Sequence, residues 1–267
     1  MQDFELEYAA LIDEVLRTGV KKRARNGETT SLFGMSLTVD NIAEVFPLIQ
    51  GRKMFPNGVF GEWAAMIRGP KHIDDFKKFG CNFWEKWCNE GGSIDVDYGN
   101  AWLDFDGVNQ IEELRNTLMH NPNDRRMIVT GWRPNRLQHL NLPCCHYNYQ
   151  FHVADGELNM IWTQRSVDMM IGLPSDIILA AVWLITLAND VGLKPGRVKM
   201  DFGDCHVYAE HYLQAAEYVK RVQTNELQPV TYELMVGPGM HMCLFEPTDI
   251  ALGNYEHLSK MALELKE

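Results

Sequence analysis

Between Pro143 and His211 the sequence leaves the backbone few choices. It runs P-C-C-H-Y-N-Y-Q-F-H-V, then A-D-G-E, then L-N-M-I-W-T-Q-R-S-V-D-M-M-I-G-L-P-S-D, and later G-D-C-H-V-Y-A-E-H. A cysteine beside a histidine, Cys145-His146, opens an alternating segment. The tight turn Ala154–Glu157 follows, and a second alternating segment ends at Gln164-Arg165-Ser166, which is a β-hairpin signature with polar groups at its ends. Pro174 then opens a long apolar helix from Asp176 to about Ala188, since proline is tolerated in a first helical turn, where its missing N–H has no partner to lose.

With 267 residues, 46% of them hydrophobic, the chain can bury a full core, and no linker, repeat or low-complexity tract divides it, so one domain over residues 1–267 is expected. The formal net charge of -11 argues against binding duplex nucleic acid or a membrane surface, both of which call for a basic face. It leaves room for a small anionic substrate held by a few arginines. The six cysteines form no C-x-x-C pair and no zinc spacing, so no metal site is expected, and Cys81, Cys88 and Cys243 read as buried free thiols. The acidic start is unlike a targeting peptide, and the apolar run around residues 177–188 is too short to span a bilayer; a cytosolic protein is expected.

Upstream, Phe4, Tyr8, Leu11, Ile12, Val15 and Leu16 share one helical face. Residues 21–27 read as a basic loop and residues 31–39 as a strand. Residues 58–69 read as a helix in which Glu62 stands among Val59, Phe60, Trp63, Ala65, Met66 and Ile67. A carboxylate so placed is either on the wet side or doing chemistry. Phe83 to Trp87 reads as a short helical segment, residues 108–119 as a helix, and residues 127–130 as a strand preceded by Asp124-Arg125-Arg126. Further on, residues 197–201 read as a strand and 207–222 as a helix; strands 231–236 and 240–245 are joined by Gly237-Pro238-Gly239.

Several motifs coincide in order and spacing: Pro143-Cys144-Cys145-His146, Gln164-Arg165-Ser166-x-Asp168, Gly172-Leu173-Pro174 and Gly203-Asp204-x-His206-x-Tyr208. Together they resemble the thymidylate synthase family over most of the chain. Where the thymidylate synthases carry asparagine, two residues after Gly-Leu-Pro, this chain has Asp176, the mark of the family's cytosine-specific branch, the phage-type deoxycytidylate hydroxymethylases. The resemblance implies an α+β fold with a large mixed or antiparallel sheet flanked by helices, and a homodimer stacked sheet against sheet. The last residues, 260–267, depart from the family's apolar closing tail.

The chemistry implied is one-carbon transfer from 5,10-methylenetetrahydrofolate to C5 of dCMP. A pyrimidine C5 is a poor nucleophile until a thiolate adds at C6, and Cys145, next to His146, is the expected nucleophile, with Cys144 the alternative. Arg165 is expected to lower the thiol's pKa, and His146 to orient the site or its water. Glu62, fifteen residues after Pro47 as in the family, would move protons. Asp168 would hold the pterin, with Phe83, Trp84, Ile171 and Gly172 along its plane. Arg25 (or Arg23), Gln164, Arg165 and Ser166 would place the nucleotide, with Arg125 and Arg126 reaching across a dimer to the partner's phosphate; His206 and Tyr208 would take the 3′-hydroxyl. Asp176 would read the base edge, either protonated or ionised against a protonated N3. Hydroxymethylation is the expected outcome, reductive methylation of dCMP or dUMP the alternative, and a non-catalytic nucleotide binder the rival of another class.

Overall fold

The computed structural model describes residues 2–265. Chain order begins with helix α1 (Asp3–Thr18), which buries Phe4, Tyr8, Ile12 and Val15 on the face the apolar spacing marks out. The basic segment that follows is a strand rather than a loop. β1 (Val20–Ala24) pairs antiparallel with β2 (Gly27–Val39), and only Arg25 and Asn26 lie between the paired ends Ala24 and Gly27. Every β1 side chain is exposed, so no apolar alternation betrays it, and its lysines and arginine guard a sheet edge against further pairing.

Helices α2 (Pro56–Met66), α3 (Ile73–Lys77), α4 (Gly99–Leu103) and α5 (Gln110–His120) come next, then β3 (Ile128–Thr130). The hairpin of β4 (His146–Ala154) and β5 (Glu157–Asp168) turns where expected. Asp155 and Gly156 both have positive φ, 52° and 80°, as the tight primed turn demands. Helix α6 (Gly172–Val191) starts four residues earlier than the apolar run suggests and ends on Gly192 in the left-handed region, φ 74°. At 20 residues it is long and apolar enough to cross a bilayer, but most of it is buried inside the fold as a core helix.

β6 (Lys194–Tyr208) is far longer than the expected strand, and the helix expected from residue 207 begins later, as α7 (Tyr212–Thr224). β7 (Thr231–Leu234) pairs with β8 (Ile250–Gly253), not with the apolar run at residues 240–245. That run forms a 3-10 turn, Met242–Leu244, with Met242 and Phe245 buried. Among the described residues the main sheet has six strands in the order β1-β2-β6-β5-β4-β3, antiparallel throughout except for the parallel β5–β6 pair.

The core lies between this sheet and α6. Trp183 of α6 meets Trp63 of α2, Trp102 of α4 and Tyr149 of β4 at ring-centroid separations of 5.1, 4.5 and 4.4 Å. All six cysteines are free thiols; Cys81 is buried, whereas Cys88 and Cys243 are only half-buried, a correction to the expectation for those two. The C-terminal segment runs back along α7. The Ser259 carbonyl accepts from Arg221, the Glu264 N–H donates to His211, and Met261 is buried. Lys266 and Glu267 lie outside the described residues.

Candidate active site

Cys145 directly precedes β4, and the β4–β5 register sets Arg165 opposite it. The Arg165 N–H donates to the Cys145 carbonyl at 2.9 Å. The Arg165 guanidinium donates to the carbonyls of Cys144 (2.7 Å) and Pro143 (3.0 Å) and lies 3.9 Å from Cys145 Sγ. The cation is therefore clamped beside the sulfur. Its effect is smaller than the sequence suggests: burial pushes the Cys145 thiol above its ordinary range, Arg165 lowers it again, Asp176 raises it, and the Tyr98 hydroxyl lowers it. Cys144 is buried, turns its sulfur to the Gly131 carbonyl at 3.6 Å, and is pushed up to about 12 by burial. Arg165 acts on both thiols, but it is the Cys145 sulfur that the guanidinium contacts.

His146 is buried between the rings of Tyr98 and Trp162, at 4.4 and 4.3 Å. Its Nδ1 is 2.6 Å from the Tyr149 hydroxyl, which itself donates to the His146 carbonyl at 3.1 Å. Since that hydroxyl has one proton, Nδ1 must be the donor to it, which fixes the tautomer and leaves Nε2 an acceptor. Burial drives the imidazole down to about 3, so it is neutral at physiological pH and serves to orient its neighbours.

Two carboxyl groups face the same region from different helices. Glu62 on α2 accepts from the Trp84 indole N–H at 2.8 Å, and burial raises it to about 7. Trp84 stacks on Phe76 at 5.2 Å and is itself buried, so what it offers the site is that N–H. Phe83, more exposed, packs its ring against Gly58, where a Cβ would come within 2.7 Å of it; glycine is needed for that approach. Asp176 sits one turn inside α6 and accepts from Gln164 Nε2 at 2.8 Å. Burial raises Asp176 to about 8, with Gln164 opposing and Glu62 and Asp168 adding to the rise. Gln164, placed in the sequence reading against the substrate, is 1% exposed and spends both amide ends on the protein: its Oε1 accepts from Trp162 Nε1 at 3.0 Å.

Asp168 closes β5 and accepts, through one oxygen, from the backbone N–H groups of Met170 (2.8 Å) and Ile171 (3.3 Å), turning the chain into α6. Ile171 is the residue before that helix and Gly172 its first; a Cβ on Gly172 would lie 3.8 Å from both Asp168 and Asp176, so these three share one corner. The parallel β5–β6 register then sets Ser166 beside Asp204 and Asp168 beside His206. His206 is 3.1 Å from Asp204, and Lys22 pairs with the same carboxylate at 3.3 Å. Tyr208 is paired with Thr29 across β2, which draws it to the β1–β2 turn. Burial raises its phenol, with Asp168 and Cys145 near enough to add to the rise and Arg25 near enough to oppose it.

The remaining arginines stand apart. Arg25 contacts Asn26 at the exposed turn, and Arg23 is exposed on β1. Arg125 is exposed ahead of β3, and Arg126 is held by Asp124 of its own chain at 2.7 Å while 87% of its side chain is open to solvent. Tyr98 is a site residue to which the sequence reading gave no role. Its hydroxyl accepts from the Cys145 N–H at 2.9 Å. The two residues are 47 apart in sequence, so no local pattern could pair them.

A cluster of possible metal ligands lies elsewhere, at Glu112, His241 and Cys243. His241 Nδ1 accepts from the Cys243 N–H, so Nε2 carries the proton and donates to Glu112 at 3.0 Å, while Arg115 holds the other Glu112 oxygen. The imidazole lone pair is used and a guanidinium stands alongside, a poor setting for a cation.

The site thus gathers one thiol beside a cation, two protonatable carboxyl groups with raised pKa values, and hydroxyl, amide and imidazole groups of fixed orientation. A thiol able to add to a polarised carbon, and a carboxyl poised near neutrality to carry its protons, form a pair suited to covalent catalysis. Compared with known protein families, residues 6–266 match the family model described as Thymidylate synthase.

Proposed function

Because the chain belongs to the thymidylate synthase family, and so transfers a one-carbon unit from methylenetetrahydrofolate to C5 of a pyrimidine nucleotide, we propose that its nucleotide is dCMP and its product 5-hydroxymethyl-dCMP. The observation that carries this reading is Asp176: a carboxyl with its pKa raised to about 8 and hydrogen-bonded to a buried amide, which we take as the reader of the base edge. At neutral pH it is protonated. One oxygen then donates to cytosine N3 and the other accepts from the 4-amino group.

In this reading Cys145 adds to C6 as a thiolate, with Arg165 and the Tyr98 hydroxyl stabilising the charge. C5 becomes an enamine carbon and forms the bond to the one-carbon unit, which the folate supplies. Glu62, near 7, has both forms available around neutrality: the acid to assist opening of the folate ring, the base to take the C5 proton. Elimination of tetrahydrofolate leaves an exocyclic methylene. Water adds to it, and the thiolate leaves. Asp168, Ile171, Gly172 and Phe83 line the folate side; Arg25, Ser166, His206 and Tyr208 hold the phosphate and sugar. The second subunit stacks on the sheet face opposite α6, where Gln150, His152, Ile161 and Lys199 are exposed, and lends Arg125 and Arg126. Its place of action is the cytosol.

Mass analysis of the product formed from dCMP tests the reading. A hydroxymethyl gain with tetrahydrofolate left behind is expected. A methyl gain with dihydrofolate would replace water by hydride in the last step, and turnover of dUMP but not dCMP would overturn the base assignment.

A further inference from the structure

A protonated carboxyl is an ambiguous reader. With its proton on one oxygen it presents donor then acceptor, matching cytosine; with the proton on the other it presents acceptor then donor, matching uracil. Asp176 alone therefore does not reject dUMP. Something must tell its two oxygens apart.

The candidate is a chain of two hydrogen bonds behind it. Trp162 Nε1 is a donor and nothing else, and it donates to Gln164 Oε1 at 3.0 Å. That leaves Gln164 Nε2 toward Asp176 Oδ2, at 2.8 Å. Rotating the amide by half a turn would set its NH2 against the indole N–H, donor against donor. Water cannot rescue that arrangement, because Trp162 is 0% and Gln164 1% exposed. The indole is in turn pinned by its ring contacts with His146 at 4.3 Å and Tyr149 at 4.9 Å. The core tryptophans Trp63 and Trp183, by contrast, have buried N–H groups with no partner among the described residues. Trp162 is placed so that its N–H is used.

We propose that Trp162 is a specificity-positioning residue: through Gln164 it keeps the proton off Asp176 Oδ2, so that Asp176 offers the base a donor at Oδ1 and an acceptor at Oδ2. This rests on the reading of Asp176 as the base reader, and under that reading Oδ2 faces the 4-amino group. A uracil edge would need the proton on the oxygen that already faces an N–H.

The test is the ratio of kcat/KM for dCMP and dUMP in the wild type and in Trp162→Phe, which keeps a ring in place and removes the N–H. With one buried neutral hydrogen bond at stake, the dCMP preference should fall roughly three- to tenfold, with dCMP losing more than dUMP. Should that variant fail to fold, the benzothiophene analogue of tryptophan at position 162 keeps both rings and lacks the N–H, and the same fall is expected. Equal losses for both nucleotides, or an unmoved ratio in a folded variant, would overturn the proposal and leave Trp162 as packing. A wild type that prefers dUMP would overturn the cytosine assignment instead. In that case the ratio should move toward dCMP on losing the N–H if the polarity argument holds.

Discussion

The two ends of the site are built on different principles. At the inner end every group has a fixed partner within one chain: Glu62 has Trp84, Asp176 has Gln164, His146 has Tyr149, and Arg165 has two backbone carbonyls. At the outer end the cations are exposed. Arg23 and Arg25 lie around a two-residue turn, and Arg125 and Arg126 project beyond β3. Burial explains the contrast. It raises the inner carboxyl groups into the neutral range, where they can carry protons. Outer arginines gain nothing from burial and, in the proposed reading, need only reach an anion. The inner end is thus preorganised by the core, and in the proposed reading the outer end is completed by what binds to it.

That contrast predicts all-or-nothing effects inside and graded ones outside. The largest is expected at the nucleophile. Cys145→Ser should reduce product formation to background while dCMP still binds, as equilibrium dialysis would show, because the proposed phosphate and sugar contacts are made by other residues. Cys144→Ser should retain most activity, its sulfur being turned to the Gly131 carbonyl. An inactive Cys144→Ser with an active Cys145→Ser would exchange the two roles.

Next comes Glu62→Gln. Loss of its proton chemistry should slow tritium release from C5 of dCMP by about two to four orders of magnitude. Trp84 can still donate to the new amide oxygen, so the fold should survive and the loss be confined to the chemistry. An unaltered exchange rate would return Glu62 to a structural role.

With Trp162 in place, Gln164 Nε2 should hold the new amide of Asp176→Asn with its oxygen where Oδ2 stood, so the variant should keep preferring dCMP. Adding Trp162→Phe should free that amide to turn and move the dCMP:dUMP ratio of kcat/KM by about tenfold or more toward dUMP, since a mismatched buried hydrogen bond costs roughly 1–3 kcal/mol. The pH dependence carries a sign of its own. The carboxyl is held protonated up to about 8, so the competent neutral form is present below that value and lost as pH rises through it. Wild-type kcat/KM for dCMP should therefore fall on the alkaline side of about 8, and the asparagine variant should lack that limb. A limb that persists in the variant belongs to another group.

How much of this was legible in the sequence follows the same line of burial. The β4–β5 hairpin was, because Asp155 and Gly156 announce a turn that needs positive φ. So was α6, because an apolar run behind a proline has few alternatives. β1 was not: a strand with every side chain in solvent carries no alternation to read. The run at residues 240–245 misled because burying Met242 and Phe245 requires apolar residues but not a strand. Within the site, residue types and spacing nominated Cys145, Glu62 and Asp176 through the family resemblance. Their partners Tyr98 and Trp84, and the upward shift of the thiol, come from burial and from packing between distant segments, which no local pattern records.

The smallest effect is expected at the outer end, and it tests whether two chains share a site. Arg126→Ala removes one exposed cation, already paired with Asp124 in its own chain, so the KM for dCMP should rise by roughly tenfold with kcat little changed, the scale of one charged hydrogen bond. If the guanidinium serves the partner's phosphate, the defect lies in the other subunit's site. Mixing the Arg126→Ala chain with the Cys145→Ser chain then yields hybrids in which one site has both Cys145 and an intact arginine, and the other has neither. With random exchange half the dimers are hybrids, so about a quarter of all sites should regain wild-type KM, as a two-fold symmetric interface requires. An arginine acting in its own chain gives a different result: every site with Cys145 still lacks Arg126, and the mixture keeps the raised KM however completely the subunits exchange.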